Sequence, residues 1–212
     1  MRIAVLGAGA WGTALAITFA DAHSVSLWAR NHEQVQRMQA ERENSRYLAG
    51  HRFPDSLDPT ALLAEAIDGA ELILIAAPLA GLRTTLQYLR EAHSTTSFLW
   101  VCKGLERGSG LLPHQVVREV LGERQCGALT GPSFAEELAR RLPTVVTIAS
   151  NDAAFALHCA ESLRRPRLRI YAGDDLVGAE VGGAVKNIMA IATGVCDGLG
   201  LGMNARAALL TR

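Results

Sequence analysis

The stretch that decides the fold lies near the amino terminus, where residues 2–16 read Arg2-Ile3-Ala4-Val5-Leu6-Gly7-Ala8-Gly9-Ala10-Trp11-Gly12-Thr13-Ala14-Leu15-Ala16. A short apolar run that favours a β-strand leads directly into glycines spaced G-x-G-x-x-G, and the residues that follow favour a helix. In such a unit the first glycine permits the turn, the second lets a pyrophosphate approach the backbone, and the third lets helix and strand pack closely. The free amides at the helix start would face the phosphates. The stretch therefore predicts a dinucleotide site rather than an ordinary glycine turn.

The second predicted strand, residues 24–28, bears on which dinucleotide is preferred. A site that prefers NADH places Asp or Glu at the end of this strand, where the carboxylate binds the ribose 2′-hydroxyl. This chain continues instead with Ala29-Arg30-Asn31. A guanidinium can pair with a 2′-phosphate or stack on adenine, so Arg30 favours NADPH. The alternative is that Arg30 is a solvated residue at the start of the next helix.

Composition excludes several classes of protein. The 212 residues are 49% hydrophobic and 20% charged, which is typical of a compact protein large enough to bury a core. Lys plus Arg and Asp plus Glu are both 21, so no overall charge favours nucleic acid or an anionic membrane. The four cysteines form no C-x-x-C pair, which indicates reduced thiols rather than disulfides or a metal site. We see no secretory signal and no apolar run of membrane-spanning length, and we expect a cytoplasmic protein without membrane insertion.

Strand-like and helix-like segments alternate along most of the chain. Residues 71–78 are almost continuously apolar, as in a parallel strand that is buried on both faces. The alternation predicts an α/β fold with a right-handed, doubly wound Rossmann-type sheet. Residues 43–59 are polar and contain two prolines, which indicates a surface excursion.

The pattern becomes helical and rich in small residues after Gly173. We therefore expect residues 1–174 to form a Rossmann dinucleotide-binding domain. Residues 175–212 would be the first, incomplete part of an all-α substrate-binding domain.

Three places carry candidate chemistry. Lys103 follows a predicted strand, at the edge where open α/β sheets bind ligands. Lys186 lies among small apolar residues on the long helix, and a buried amine is usually paired or functional. Ser133 and Glu136 have the spacing of a capping box at a helix start that could also bind phosphate. The alternatives are solvated lysines and a helix start with a purely structural role.

Several blocks together resemble bacterial NAD(P)-dependent glycerol-3-phosphate dehydrogenases, and they occur in the family's order over the whole chain. The blocks are Gly7–Ala16, Cys102–Glu106, Leu129–Leu138, Leu142–Thr144, Gly182–Asn187 and Asp197–Arg212. The resemblance implies reversible reduction of dihydroxyacetone phosphate to sn-glycerol 3-phosphate with NADPH or NADH, which feeds glycerophospholipid synthesis.

The resemblance also implies a role for each matching residue. Lys186 would be the acid/base that protonates the carbonyl oxygen, while Asn187 and Lys103 would orient and polarise the substrate. Gly131 and Ser133 would contact the substrate. The remaining implied residues would contact the cofactor, and they are Gly7, Gly9, Ala10, Trp11, Gly12, Arg30, Lys103 and Ala135. Ala10 stands where many relatives carry serine, which would remove one side-chain contact to the pyrophosphate and leave the backbone cradle intact.

Members of the family continue well beyond the position of Arg212 into a helical domain that supplies an aspartate and an Arg-Asn pair. We therefore expect these 212 residues to bind cofactor with little or no turnover, and we expect a homodimer at full length. Two alternatives stay open. One is another two-domain dehydrogenase of the hydroxyacid or 6-phosphogluconate type, and the other is a nucleotide-binding module that only senses redox state.

Overall fold

A computed structural model describes residues 1–132 and 134–211, without the side chain of Asn187. The strands and helices follow one another as β1 (Arg2–Leu6), α1 (Ala10–Ala20), β2 (Ser24–Trp28), α2 (His32–Glu41), β3 (Glu43–Asn44), β4 (Leu48–Arg52), β5 (Leu57–Thr60), α3 (Leu63–Ile67), β6 (Leu72–Ile75), α4 (Leu79–Glu91), β7 (Phe98–Trp100), α5 (Pro113–Leu121), β8 (Cys126–Thr130), α6 (Ala135–Ala139), β9 (Thr144–Ala149), α7 (Ala153–Leu163), β10 (Leu168–Gly173), α8 (Leu176–Gly198) and α9 (Gly202–Thr211).

The main sheet has eight strands in the order β10-β9-β8-β7-β6-β1-β2-β5. All neighbouring pairs are parallel except β8 and β9, which are antiparallel. The order reverses at β1, and this is the place where ligands bind in open α/β sheets. The predicted doubly wound α/β fold is confirmed.

The two faces of the sheet are both buried, as the apolar runs predict. In β1, Ile3 and Val5 belong to one core cluster, while Ala4 and Leu6 belong to another. Because side chains alternate between the faces of a strand, the two clusters lie on opposite faces of the sheet. Helices α1, α2, α6 and α7 contribute to the first cluster, and α3, α4 and α5 contribute to the second.

The expectation of a surface excursion over residues 43–59 is wrong in two places. Residues 57–60 form β5, the edge strand that pairs with β2. Pro59 is compatible with this position because an edge strand can leave one side of its backbone unpaired. Further back, β3 and β4 form an antiparallel hairpin in which Asn44 and Leu48 are buried.

Helix α8 is far less buried than its small residues suggest. Among its described side chains only Leu176, Glu180 and Cys196 are buried, so the expected tight packing along the helix is wrong. Its exposed apolar side chains include Val185, Ile188 and Ile191. Within the described ranges, α8 is the one helix that is long and apolar enough to span a membrane. The expectation that no apolar run reaches membrane-spanning length is therefore wrong for α8. Length and composition alone are weak evidence, since core helices of soluble proteins pass the same test.

Candidate active site

The three glycines of the turn after β1 are required for different reasons. Gly7 has φ +128°, and a Cβ there would lie 2.7 Å from the backbone carbonyl carbon of Ala76. A Cβ on Gly12 would lie 2.0 Å from the carbonyl oxygen of Gly7 and 2.8 Å from the Cβ of Ala76. A Cβ on Gly9 would meet nothing within 4 Å. Gly7 and Gly12 are therefore fixed by packing, whereas Gly9 faces open space, as a backbone approached by a ligand must.

Two buried side-chain amides, which sequence reasoning missed, bind the glycine turn. The carbonyl oxygen of Ala8 accepts from Gln34 Nε2 at 3.0 Å and from Asn44 Nδ2 at 2.9 Å. Asn44 Nδ2 also donates to Thr13 Oγ1 at 2.8 Å. The polar context of residue 44 gave no sign of burial. These bonds fix the turn so that the first amides of α1 stay directed toward the space in front of it.

That space is a cleft of about 700 Å³ at the carboxyl ends of β1, β2, β6 and β7. Of the residues expected to contact a cofactor, the cleft is lined by Gly7, Gly9, Ala10, Trp11, Gly12, Arg30 and Lys103. Ala135 is absent from this lining. It begins α6 and packs, like Trp11, against the core cluster that α1 helps to form. A larger hollow of about 980 Å³ around residues 164–169 contains none of the predicted site residues.

The charge of the cleft favours an anionic ligand. Its lining includes the cationic residues Arg30, Arg46 and Lys103, and none of the described lining residues is Asp or Glu. Arg30 is exposed two residues after the end of β2, and the guanidinium of Arg46 lies 5.2 Å from the centre of the Tyr47 ring. Arg46 and Tyr47 come from the β3–β4 hairpin, which sequence reasoning had not connected with the site. Cations clustered around a low-dielectric cleft attract anions such as phosphate groups.

Lys103 joins the ends of two neighbouring strands. It follows β7, and its Nζ donates to the carbonyl oxygen of Gly131, directly after β8, at 2.8 Å. The side chain is half-buried, and burial lowers the pKa of Lys103; the positive charge of Lys186 lowers it further. Gly131 has φ +143°, and a Cβ there would lie 3.0 Å from the carbonyl oxygen of Val145. Gly131 is therefore required by the backbone whether or not it contacts a ligand.

Helix α8 approaches Lys103 and the end of β8 at Gly183, which has no side chain. A Cβ on Gly183 would lie 3.3 Å from Thr130 Oγ1 and 3.4 Å from Lys103 Cγ. Lys186 lies one turn further along, exposed, with its Nζ 5.7 Å from the centre of the Phe134 ring. The expectation of a buried amine is wrong for Lys186: its side chain is solvated, as the alternative has it, and it is not among the described residues that line the cleft. Its charge nevertheless lies close enough to Lys103 to affect the pKa of that side chain.

Lys103 and Lys186 are also the only two lysines in the sequence. Lys plus Arg total 21, and only positions 103 and 186 are lysine. Arginine therefore serves at every other Lys or Arg position. The ammonium is compact and can lose its proton, whereas the guanidinium cannot at any ordinary pH.

Two predicted site residues cannot be placed in this geometry. Ser133 lies outside the described residues, and so does the side chain of Asn187. Their expected contacts with substrate therefore stay predictions.

Comparison with known proteins identifies the family. The model of the NAD-dependent glycerol-3-phosphate dehydrogenase N-terminus matches residues 2–156, and the model of the C-terminus of the same enzymes matches residues 175–212. The chain belongs to this family.

Individual relatives agree with this assignment. A glycerol-3-phosphate dehydrogenase (NAD(P)+) of Dechloromonas aromatica is 57% identical over 213 residues, covering all of this chain and 65% of the relative. The crystal structure of glycerol-3-phosphate dehydrogenase from Coxiella burnetii has a TM-score of 0.90 at 43% identity, over 99% of this chain and 65% of that one. The Plasmodium falciparum glycerol-3-phosphate dehydrogenase has a TM-score of 0.89 at 26% identity, over 98% of this chain and 62% of that one. The chain thus spans about 65% of the length of the curated relatives that it matches.

Proposed function

We propose that the protein carrying this chain reversibly reduces dihydroxyacetone phosphate to sn-glycerol 3-phosphate with NADPH or NADH and so feeds glycerophospholipid synthesis. The observation that carries the proposal is the cleft in front of the glycine turn, with Lys103 in its lining and the charge of Lys186 near enough to lower the pKa of Lys103. The family of the chain and the names of its relatives support the same reaction.

The cleft has the features that a nicotinamide dinucleotide requires, because Gly9 leaves open space before the first amides of α1. When bound, the cofactor supplies or accepts the hydride. We assign the cradle of the pyrophosphate to Gly7, Gly9, Ala10 and Gly12. We assign the other cofactor contacts to Trp11, Arg30, Lys103 and Ala135.

Proton transfer falls to the residues of this chain. Lys186 donates a proton to the carbonyl oxygen of the ketone, and Lys103 orients and polarises the same carbonyl together with Asn187. Gly131 and Ser133 contact the substrate. Two ammonium groups repel each other, and negative charge that develops on an oxygen between them relieves this repulsion. They therefore stabilise the alkoxide-like transition state more than the neutral ketone.

The lining of the cleft supports a preference for NADPH. Arg30 and Arg46 offer two guanidinium groups, and the described lining residues include no carboxylate to bind a ribose 2′-hydroxyl. A 2′-phosphate, unlike a hydroxyl, would engage such groups by charge-assisted hydrogen bonds.

We also propose that residues 1–174 form the dinucleotide-binding domain and that residues 175–212 begin a helical substrate-binding domain. The full-length protein would be a cytoplasmic homodimer that neither binds nucleic acid nor inserts into a membrane. The balanced charge of the chain supports the statement on nucleic acid.

The test uses the full-length protein with NADPH oxidation as the readout. Dihydroxyacetone phosphate should be reduced, and Lys186→Met should lose most of the turnover while still binding NADPH. Arg118→Met is the matched control, because it removes an exposed cation of α5 that pairs with the exposed Glu123 just beyond the end of that helix. Turnover of a hydroxyacid alone would favour the other dehydrogenase class. Unchanged function in Lys186→Met would favour the redox-sensing module.

A further inference from the structure

Glu180 lies on α8, and among the described residues it is the only acidic side chain that is buried. Its side chain is 1% exposed. One carboxylate oxygen accepts from the backbone N–H of His114 at 2.9 Å, and the other pairs with His114 Nδ1. Burial raises the pKa of Glu180, and the contacts with His114 act in the opposite direction. A buried carboxylate is unfavourable without such partners, so these bonds determine where Glu180 can lie.

The partner of Glu180 is the first turn of another helix. Pro113 and His114 begin α5, and proline at the first position has no N–H to donate. The next amide, that of His114, donates to the carboxylate of Glu180. The positive end of the α5 dipole also stabilises this carboxylate. The carboxylate thus fixes α8 to the start of α5, 66 residues earlier in the chain.

Glu180, Gly183 and Lys186 follow one another at intervals of three residues on α8. Residues at this spacing are neighbours on a helix surface. Glu180 contacts α5, Gly183 abuts Lys103, and Lys186 lies near Phe134. The hydrogen bonds that Glu180 makes therefore lie six residues, fewer than two helical turns, before Lys186.

The other buried contacts of α8 constrain its rotation less. Leu176 and Cys196 are the remaining buried side chains among its described residues, one near each end of the helix. Apolar packing is non-directional and tolerates rotation about the helix axis. The two hydrogen bonds of Glu180 to defined atoms of His114 do not tolerate such a rotation.

We propose that Glu180 is a positioning residue: its paired contacts with His114 set the rotation and the axial position of α8 and thereby hold Lys186 near Lys103. This inference rests on the proposed function. Displacing a catalytic group by about 1 Å can reduce the rate about 100-fold. A change at Glu180 should therefore act on the chemical step rather than on cofactor binding.

The experiment is a double-mutant cycle in the full-length protein, with kcat and the KM for NADPH as readouts. Glu180→Ala should lower kcat by about 10- to 100-fold and leave the KM for NADPH within about twofold. Glu180→Gln should restore most of kcat, because its amide oxygen can still accept from the His114 N–H. In a Lys186→Met background, Glu180→Ala should lower kcat no further, since the group that it positions is gone.

Val25→Ala is the control for lost stability, because it opens a cavity in the buried part of β2 away from α8 and should leave kcat unchanged. If Glu180→Ala does not fold, His114→Phe replaces it, because this change removes Nδ1 and keeps the backbone N–H. Additive losses of kcat in the cycle, or full kcat in Glu180→Ala and His114→Phe, would overturn the inference. Unchanged kcat in Lys186→Met alone would instead overturn the proposed function.

Discussion

The glycine turn allows one substitution, glycine to alanine, to be compared at two positions of the same motif. At Gly12 the new methyl group would lie 2.0 Å from the Gly7 carbonyl oxygen, where ordinary contact begins at 3.4 Å. The obstacle is backbone, so α1 and β1 must move apart by more than 1 Å. At Gly9 the methyl group would meet no atom within 4 Å, and φ is an ordinary −78°.

The two variants should therefore fail in different ways. In Gly12→Ala, overpacking against the backbone lowers the free energy of unfolding by about 3 kcal/mol, and the better helix propensity of alanine raises it by about 1 kcal/mol. A net loss of about 2 kcal/mol lowers Tm by roughly 4–8 °C in a domain of this size. Gly9 precedes α1 as its N-cap, where alanine costs about 1 kcal/mol or less. Its methyl group, however, would occupy the space that a pyrophosphate needs, so the affinity for NADPH should fall at least about tenfold.

The assay combines thermal unfolding by circular dichroism with titration of NADPH, using the 212-residue chain. Gly12→Ala should show the larger fall in Tm, and Gly9→Ala should stay close to the wild-type Tm while it loses affinity. A wild-type Tm in Gly12→Ala, or wild-type affinity in Gly9→Ala, would refute the assignment of packing to one glycine and ligand approach to the other.

Three further outcomes follow from the charges and thiols of the chain. Arg30→Ala should weaken NADPH binding about tenfold and leave NADH binding nearly unchanged in parallel titrations, whereas equal losses would contradict its role. Because hydrogen bonds from Arg83 lower the pKa of Glu106 to about 2, their pair stabilises the fold above about pH 4.5 and loses this effect as pH falls through about 2. Arg83→Met should thus be less stable by about 1 kcal/mol in urea unfolding at pH 6 and by less at pH 3, and a constant difference would contradict the linkage. Burial raises the pKa of the Cys159 thiol to about 12, so it should resist alkylation at pH 8 by mass spectrometry, and rapid labelling of the folded chain would show that it is accessible.

The order of strands and helices could be predicted wherever apolar residues form an unbroken pattern. The first strand with its glycine turn and the continuous run at β6 are examples, because local sequence determines both. Edge strand β5 was missed because its short, polar, proline-containing sequence carries almost no periodicity.

The site was only partly predictable, because its parts meet through topology. Lys103 and Lys186 are far apart in sequence, and only the strand order with the return of α8 brings their charges together. Asn44 was missed because its burial depends on the hairpin folding over the glycine turn. The exposure of Lys186 was foreseen only as the alternative, since its small neighbours favoured packing that the described part of α8 does not have.

The central claim is that the charge of Lys186, on α8, acts on Lys103 in the lining of the cleft, and the titration of the two lysines tests it most directly. The 212-residue chain contains only these two lysines, so light reductive methylation with ¹³C-formaldehyde gives two side-chain signals besides the terminal amine, which can be followed by NMR as pH rises. The account predicts that Lys103 titrates below the usual lysine pKa of about 10.4 and that its pKa rises when Lys186 is replaced by methionine. An ordinary pKa for Lys103 that does not respond to Lys186→Met would contradict it.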